Sequence, residues 1–190
     1  MYMDTHDIEA FYPSVTYGLV ERAFEFYSRS LGEKDKATIR ECLKMIAFGM
    51  GNTLLTFVDK YYEYDGEREI QDKGLTIGGY ESAWLANLVA AFVLENCEDL
   101  FGDAVYDGIY RDNGLVIMDG QKTNEEIGQW LDTFQERVNQ VTGYEGLLFT
   151  VSIWRQACND KPTHPKAEIH KCSFFPFLDL KMSWSKEGEL

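Results

Sequence analysis

Two apolar runs that meet at a tight turn constrain the fold more than any other feature of this sequence. In residues 108–118, GIYRDNGLVIM, an apolar run reaches Asp112, Asn113 and Gly114 and then becomes apolar again. Two strands joined by a short turn of this composition form a β-hairpin, and a hairpin requires further strands or a helix to bury its apolar face. The segment is either an ordinary hairpin tip or a hairpin that carries Asp112 at its tip for chemistry.

The segments around this hairpin predict an α+β fold. A strand is predicted at residues 3–9, and a buried helix from about Tyr80 to Leu100 is apolar on nearly every face. Thr123 and Glu126 form a capping box that starts an amphipathic helix. Further predicted elements are helices around residues 14–31 and 39–51, a hairpin that turns at Asp65–Gly66, and strands at residues 146–154 and 168–184. This order predicts one domain over residues 1–190, with a ferredoxin-like βαββαβ antiparallel sheet and helices packed on one face.

The charge of the chain bears on its partners. The 190 residues carry a formal net charge of −14 at pH 7, whereas phosphate binding requires lysine and arginine. A nucleic-acid function therefore requires positive charge from another source. The chain has no apolar run long enough to span a bilayer, and its four cysteines are widely spaced. These features predict a reduced, intracellular protein, nuclear or cytoplasmic, with no membrane partner.

A cluster of potential zinc ligands lies near the end of the sequence. It consists of Cys158, His164, His170 and Cys172. These are zinc-ligand residue types, but the spacing C-x5-H-x5-H-x-C matches no common zinc-finger pattern. The alternative interpretation is a polar loop followed by a strand, and the sequence leaves both open.

Asp7 and Asp112 predict a metal site at one end of the sheet. In a split βαββαβ sheet the first strand and the central hairpin are neighbours, so the two carboxylates can face each other across adjacent strands. Carboxylates that close repel unless a cation lies between them, and Mg²⁺ binds carboxylate oxygens, waters and substrate phosphates. The structural alternative is that Asp7 caps a turn and Asp112 completes one.

Four motifs in register resemble the palm domain of reverse transcriptases. DIEAFYPSV (7–15) resembles the first palm motif, QDKGLTIGGYESAWLANL (71–88) the second, YRDN (110–113) the Y-x-D-D motif, and FPFLDLKM (175–182) the later F-L-D element. The resemblance is closest to the reverse transcriptases of Penelope-like elements, which are related to telomerase. Their further landmarks match Asn52, Ser82, Asn139 and Phe149–Thr150. The resemblance covers almost the whole chain.

The resemblance implies RNA-directed DNA polymerase activity, with two-metal nucleotidyl transfer to a primer 3′-hydroxyl. It implies that Asp7 and Asp112 bind Mg²⁺, for which Mn²⁺ can substitute, and that Asn113 belongs to the catalytic motif. Nucleotide-binding positions implied by it are Ile8, Phe11, Tyr12, Gln71, Gly74 and Gly78. Between the rings of Phe11 and Tyr12, the resemblance assigns Tyr12 to the position that excludes nucleotides with a 2′-hydroxyl. The alternative for either residue is an aromatic side chain of the core. Primer and template positions are Tyr110, Arg111, Phe177, Leu178 and Asp179.

The sequence departs from the family in three respects. Asn113 replaces the second Asp of Y-x-D-D, which removes one negative charge from the metal site. Tyr80 and Glu81 stand where the family more often has small residues and proline. The basic fingers strands and the thumb of the family are not matched, which accounts for the acidic charge of the remainder.

These departures leave alternatives open. One is a catalytically inactive, reverse-transcriptase-like scaffold or interaction module. Another is a different two-metal enzyme on the same sheet, such as a nucleotide cyclase, although this does not explain the register from Gln71 or the F-L-D element. The expected partners are primer–template nucleic acid, nucleoside triphosphates, the fingers and thumb of a longer parent chain, and a second copy of the chain.

Overall fold

The computed structural model describes residues 2–63, 68–102, 104–110, 112–118, 123–143, 146–155, 167–171, 174–178 and 180–183. The chain divides into two compact units: unit 1 is Met1–Glu9 with Leu94–Leu190, and unit 2 is Ala10–Val93. The assignment of one palm domain to residues 1–190 stays a prediction. None of the helices in the described ranges is long and apolar enough to cross a membrane.

The secondary-structure elements follow the predicted order. They are β1 (Tyr2–Ile8), α1 (Phe11–Ser14), α2 (Tyr17–Ser28), α3 (Glu33–Gly51), β2 (Leu54–Phe57), β3 (Lys60–Glu63), α4 (Ser82–Glu95), β4 (Ala104–Tyr110), β5 (Asn113–Met118), α5 (Asn124–Thr142), β6 (Phe149–Arg155), β7 (Ala167–Lys171), β8 (Phe174–Phe177) and β9 (Leu180–Ser183). Single 3₁₀ turns lie at Ile70–Asp72 and Glu98–Phe101.

Unit 1 contains a five-stranded sheet in the order β4-β5-β1-β6-β7. The central strand β1 is antiparallel to both of its neighbours, β5 and β6. The mixed α+β, palm-like fold is therefore confirmed. The edge strand β7 differs from the predicted antiparallel sheet because it runs parallel to β6. The apolar pattern of a strand does not encode its direction relative to its neighbour, so the sequence does not reveal this difference.

The two faces of this sheet are covered by different elements. Ile8 pairs with Phe149 across β1 and β6, so their side chains share a face. On that face the ring of Phe134, from α5, lies 4.9 Å from the ring of Phe149. Leu115 and Ile117 of β5 are instead packed by Phe177 and Met182 of the β8–β9 hairpin. The F-L-D element is therefore part of the packing of the sheet.

The ends of helix α5 are set by local sequence signals. The Thr123 side chain accepts a hydrogen bond from the Glu126 N–H, and the Thr123 N–H donates to the Glu126 carboxylate at 2.7 Å. The helix ends before Gly143, which adopts the left-handed φ of 63° that favours glycine. The stripe that it buries is Ile127, Leu131, Phe134 and Val138. The predicted capping box and apolar face are both confirmed.

Helix α4 is shorter than predicted. It begins at Ser82 rather than Tyr80 and ends at Glu95 rather than Leu100. Cys97 leaves helical geometry, with φ −113° and ψ 2°, and a 3₁₀ turn follows. Its buried side chains lie on most sides of the helix, as the uniformly apolar sequence predicts: Leu85, Ala86, Val89, Ala90, Phe92 and Val93.

A hairpin of unit 2 turns at Val58–Asp59, where the sequence predicts no turn. The predicted turn at Asp65–Gly66 lies outside the described residues, and the hairpin present, β2–β3, turns at Val58–Asp59. Both turn residues have positive φ, 48° and 59°, as in the tight turns that suit antiparallel strands. A β-branched residue such as Val58 disfavours that conformation, so the sequence gives no signal for a turn here.

Candidate active site

Asp7 and Asp112 lie at the same end of two adjacent strands in unit 1. Asp7 is the penultimate residue of β1, and Asp112 lies in the turn between β4 and β5. The Ile8 N–H donates to the Asp112 carbonyl at 3.0 Å. The next pair along the two strands is Asp7 and Asn113. The topology therefore places Asp7 and Asp112 at the same end of the adjacent strands β1 and β5.

The register determines how close these side chains lie. Hydrogen-bonded and non-hydrogen-bonded pairs alternate along antiparallel strands, so Asp7 and Asn113, next to the bonded pair at Ile8, form a non-hydrogen-bonded pair. The Cβ atoms of such a pair are about 5 Å apart and point to the same face. Leu115 lies on that face two residues along β5. Asp7 and Asn113 therefore share the face on which the β8–β9 hairpin packs.

Asn113 is bonded to the carboxylate that precedes it. Its side-chain Nδ2 donates to Asp112 Oδ1 at 2.8 Å. The turn of this hairpin precedes Asn113, because Asn113 already pairs with Tyr110 as the first residue of β5. Asn113 is thus a strand residue that orients the neighbouring Asp112, not the tip of the turn.

The donor set of this cluster suits a hard divalent cation. Asp7 is exposed and Asp112 is half-buried, so a ligand can reach both carboxylates. Ile8 is 3% exposed and its N–H donates to the Asp112 carbonyl, so neither its side chain nor its N–H is available to a ligand. No group of three His, Cys, Asp or Glu side chains in the described ranges can hold a metal. Two carboxylates and an amide oxygen match Mg²⁺, which fills its remaining positions with water and phosphate.

The F-L-D hairpin lies on the same face of unit 1 as this cluster. Its strands β8 and β9 pair from Phe174–Ser183 to Phe177–Leu180. Phe177 is half-buried against β5, whereas Leu178 is 47% exposed with a positive φ of 52°. The strained, exposed tip is available to a ligand, and Phe177 anchors it. Asp179 and Arg111, which the sequence also assigns to this site, lie outside the described residues.

The predicted nucleotide-binding residues of unit 2 form a second group. The segment at residues 73–75 is hydrogen-bonded to the N-terminal part of unit 2. The Leu75 N–H donates to the Tyr12 carbonyl at 3.0 Å, and the Tyr17 N–H donates to the Lys73 carbonyl at 3.0 Å. Phe11 is 3% exposed and Tyr12 is half-buried. Burial favours the core interpretation for Phe11 and leaves the Tyr12 ring as the one that a ligand can contact.

Gly74 occupies a position that excludes any side chain. A Cβ atom at Gly74 would lie 2.1 Å from the carbonyl oxygen of Pro13, far inside van der Waals contact. Gln71 is packed against another glycine, since a Cβ at Gly18 would lie 2.9 Å from Gln71 Oε1. Gly74 therefore lies against Pro13, and Gln71 lies against Gly18 of α2. The absence of a side chain at Gly74 allows its backbone to approach the backbone of Pro13 closely.

Gly78 differs from Gly74 in both space and conformation. It is exposed, its φ is +90°, and a Cβ there would meet nothing within 4 Å. The positive φ at this position favours glycine over any other residue, and the loop around Gly78 is open to solvent. Tyr80, one of the departures from the family, is 97% exposed two residues later. Gly78 and Tyr80 therefore belong to an accessible surface of unit 2.

Lys73 is a functional candidate that the sequence analysis missed. It is 5% exposed, and its ammonium group donates to the Gly51 carbonyl at 3.2 Å and to Glu63 Oε1 at 3.3 Å. Lysine is almost never buried without partners. Here it joins the end of α3, the end of β3 and the Gly74 segment. A single lysine in the sequence QDKG gives no signal of this role.

Gln135 is the second residue that the sequence analysis missed. Its Nε2 donates to Asn139 Oδ1 and to the Leu147 carbonyl, both at 3.0 Å, and its Oε1 accepts from the Phe149 N–H at 3.1 Å. These bonds hold the start of β6, where Thr150 pairs with Asp7. Asn139 is thus linked to the start of β6 through Gln135. A polar residue beside the apolar stripe of α5 was the available signal.

Two buried ionisable groups lie away from these clusters. Burial raises the pKa of the Cys97 thiol to about 11, with Arg137 opposing and Asp99 reinforcing the shift. Burial and the nearby Glu21 raise the pKa of Tyr17. Of the predicted zinc ligands, His170 lies in β7, and the other three lie outside the described residues. The zinc site therefore stays a prediction.

Comparison with known proteins supports the fold. Neither a protein-family model nor the sequence of a characterised protein matches this chain. Among solved structures the chain is similar to apo telomerase from Candida tropicalis, truncated from its C-terminal domain, with a TM-score of 0.51 and 11% sequence identity. The match covers 96% of this chain and 34% of the telomerase chain, so this chain spans about a third of that structure. At this identity the similarity establishes that the two chains share a mixed α+β, palm-like fold.

Proposed function

We propose that this chain is the palm of a reverse-transcriptase-like polymerase that transfers nucleotides to a primer 3′-hydroxyl under the direction of a template. The observation that carries the proposal is the pairing of Asp7 with Asn113 beside Asp112 on adjacent strands. The shared fold with telomerase supports it, because the sequence motifs point to the related Penelope-like reverse transcriptases. RNA is the proposed template and DNA the proposed product.

Asp7 and Asp112 are the proposed metal ligands. Bound between them, Mg²⁺ would stabilise the charge on the attacking and leaving oxygens of phosphoryl transfer. Asn113 orients Asp112 by its 2.8 Å hydrogen bond, so one oxygen of that carboxylate is fixed and the other remains for ligation. The Ile8 backbone bond to Asp112 holds the turn against β1. The protein thereby presents its ligands in a fixed arrangement, which reduces the cost of ordering them on binding.

The remaining predicted residues have proposed binding roles that match their exposure. Tyr12 presents a half-buried ring for the sugar of the incoming nucleotide, and Gln71 and Gly78 lie exposed for the nucleotide or template. Leu178, at the exposed tip of the F-L-D hairpin, is the proposed contact for the primer strand. Tyr110 adjoins the carboxylates as the backbone partner of Asn113.

Primer extension by the full-length protein tests this function. On an RNA template with a DNA primer and Mg²⁺, we expect Asp7→Ala and Asp112→Ala each to lower the extension rate by a factor on the order of 100 or more, because each removes a proposed metal ligand. Asp107→Ala is the matched control, since Asp107 is an exposed carboxylate on the same hairpin. Equal extension by wild type and Asp112→Ala would contradict the proposal.

A second candidate function is a non-catalytic scaffold of the same fold. The observation that favours it is Asn113, whose amide occupies one oxygen of Asp112 and leaves the cluster with one carboxylate fewer. The same assay distinguishes the two. Extension by the chain with Asn113 supports the polymerase. If only the Asn113→Asp variant extends the primer, the site is a polymerase site that the asparagine at position 113 has inactivated.

A further inference from the structure

Gln135, on helix α5 of unit 1, bonds to the backbone at the start of β6 as a neighbouring strand would. Its Nε2 donates to the Leu147 carbonyl at 3.0 Å, and its Oε1 accepts from the Phe149 N–H at 3.1 Å. In an extended chain the C=O of one residue and the N–H two residues later point to the same edge. One carboxamide can therefore bond to both, and Gln135 occupies one edge of residues 147–149.

The opposite edge of the same segment is bonded to the end of β1. The Glu9 N–H donates to the Leu148 carbonyl at 2.9 Å, and Leu148 lies between the two residues that Gln135 holds. On its other side β6 pairs with β7, from Val151 to Arg155. Gln135 therefore continues the β7 edge of β6 past Val151, toward the start of β6.

The backbone groups that Gln135 bonds are shielded from water. Leu147 is 1% exposed and Phe149 is 5% exposed, so water does not readily replace the carboxamide as their partner. A buried backbone N–H or C=O that loses its partner destabilises the conformation that buries it. We therefore expect the start of β6 to shift when the carboxamide of Gln135 is removed.

The register ties the backbone of Asp7 to this segment. Asp7 pairs with Thr150, the second residue of β6. Hydrogen-bonded and non-hydrogen-bonded pairs alternate along antiparallel strands. Because Glu9 is hydrogen-bonded to Leu148, the pair two residues along each strand, which contains Asp7, is hydrogen-bonded as well. The backbone of Asp7 is thus held by β6, next to the residue whose N–H Gln135 accepts.

Asn139 determines which way the Gln135 carboxamide faces. One helical turn along α5, its Oδ1 accepts from Gln135 Nε2 at 3.0 Å. A carboxamide has two donor hydrogens on its nitrogen and an acceptor oxygen. With one hydrogen bonded to Asn139 and the other to the Leu147 carbonyl, the oxygen is directed at the Phe149 N–H. Asn139 therefore supports the arrangement in which Gln135 holds β6.

We propose that Gln135 is a positioning residue for Asp7: it fixes the start of β6, and β6 in turn fixes the backbone of this metal ligand. The inference rests on the proposed metal site, because it assigns Gln135 a role in that site. Asp112 is held differently, since its carbonyl accepts from the Ile8 N–H on the β5 side of β1. Loss of Gln135 therefore displaces one of the two proposed ligands while both carboxylates remain.

Titration of the full-length chain with Mn²⁺ tests the proposal. We expect Gln135→Met, which removes all three hydrogen bonds of the carboxamide, to raise the Mn²⁺ dissociation constant about tenfold, as is typical when a group that orients a metal ligand is lost. Asn139→Leu should raise it by a smaller factor. Asn139→Asp should leave it close to the wild-type value, because a carboxylate oxygen can accept from Gln135 Nε2 as the amide oxygen does.

The matched control is Trp130→Phe, a change on the same helix. It removes the hydrogen bond from Trp130 Nε1 to the Leu100 carbonyl, and Leu100 belongs to neither β1 nor β6. Trp130→Phe should lower the free energy of unfolding but leave the Mn²⁺ dissociation constant unchanged. Denaturant unfolding of every variant separates a general loss of stability from a loss confined to the metal site.

Three results would overturn the proposal. The first is a wild-type dissociation constant in Gln135→Met or, if that variant does not fold, equal Mn²⁺ binding by Asn139→Leu and Asn139→Asp. The second is an equal rise in Gln135→Met and Trp130→Phe, which would reduce the effect to general destabilisation. The third is a wild-type chain that binds no Mn²⁺, which would contradict the metal site itself, whereas the first two leave that site intact.

Discussion

Unit 1 and unit 2 differ in the exposure of some of their aromatic side chains. In unit 1 the rings of Phe101, Trp130, Phe134 and Phe149 pack on one another at 4.9–5.7 Å, between α5 and the sheet. In unit 2 Phe48, Tyr80 and Trp84 are more than 70% exposed. Unit 1 also carries most of the negative charge. The comparison indicates that the ring cluster of unit 1 stabilises its own fold, whereas several aromatic side chains of unit 2 are available for binding.

The largest expected effect tests this contrast directly. Phe134→Ala should lower the free energy of unfolding by about 3–5 kcal/mol, because Phe134 is 2% exposed and touches three other rings. Phe48→Ala should change it by less than about 0.5 kcal/mol, because its ring is largely in solvent. Denaturant unfolding of both variants measures the difference. Similar losses would show that Phe48 is packed and that the contrast between the units is wrong.

The next effect compares two glycines of unit 2. Gly74→Ala should cost about 3 kcal/mol, since a Cβ would lie 2.1 Å from the Pro13 carbonyl oxygen. Gly78→Ala should cost about 1 kcal/mol, for conformation alone, since nothing lies within 4 Å of its Cβ position. Chemical denaturation measures both. If Gly78→Ala were the more damaging change, the close approach of the Gly74 segment to Pro13 would be refuted.

The smallest expected effect is a pH dependence in unit 1. The pKa of Cys97 is raised from 9.0 to about 11 by burial, so the folded chain retains a proton that the unfolded chain loses above pH 9. The contribution of this thiol is fully present below pH 9 and is lost as the pH rises to about 11. Its size is on the order of 2 kcal/mol.

The comparison of wild type with Cys97→Ala isolates this effect from other titrating groups, including Tyr17, whose raised pKa acts in the same direction. Unfolding is measured at pH 8 and at several values up to pH 11. The wild-type curve should fall more steeply than that of Cys97→Ala. Parallel curves would mean that water reaches the thiol in the folded chain.

The sequence predicts those parts of the fold that local patterns determine. The hairpin around Asp112, the capping box at Thr123 and the apolar stripe of α5 all follow from residues close in sequence. The direction of β7 and the turn at Val58 do not, because the first depends on long-range pairing and the second on a conformation that its residue type disfavours. The sequence likewise overestimates the length of α4, which ends at Glu95, because apolar residues continue beyond that point.

The candidate site divides in the same way. The strand order predicts that Asp7 and Asp112 lie at the same end of neighbouring strands, and the structure places them there, with Asn113 as the residue that pairs with Asp7. The roles of Lys73 and Gln135 depend on contacts with Gly51, Leu147 and Phe149, which are 12 or more residues away in the sequence, and a motif does not reveal such contacts. Which of Phe11 and Tyr12 can contact a ligand depends on the burial of each ring, and only the structure shows that burial.

Binding of Mn²⁺, followed by electron paramagnetic resonance, tests the central claim most directly, because it requires neither primer nor template. The account predicts that the wild-type chain binds Mn²⁺, that Asp7→Ala and Asp112→Ala each weaken binding at least tenfold, and that the exposed control Asp107→Ala does not. Asn113→Asp should bind more tightly, since it adds a carboxylate to the cluster. Equal binding by wild type, Asp112→Ala and Asp107→Ala would contradict the assignment of Asp7 and Asp112 as a metal site.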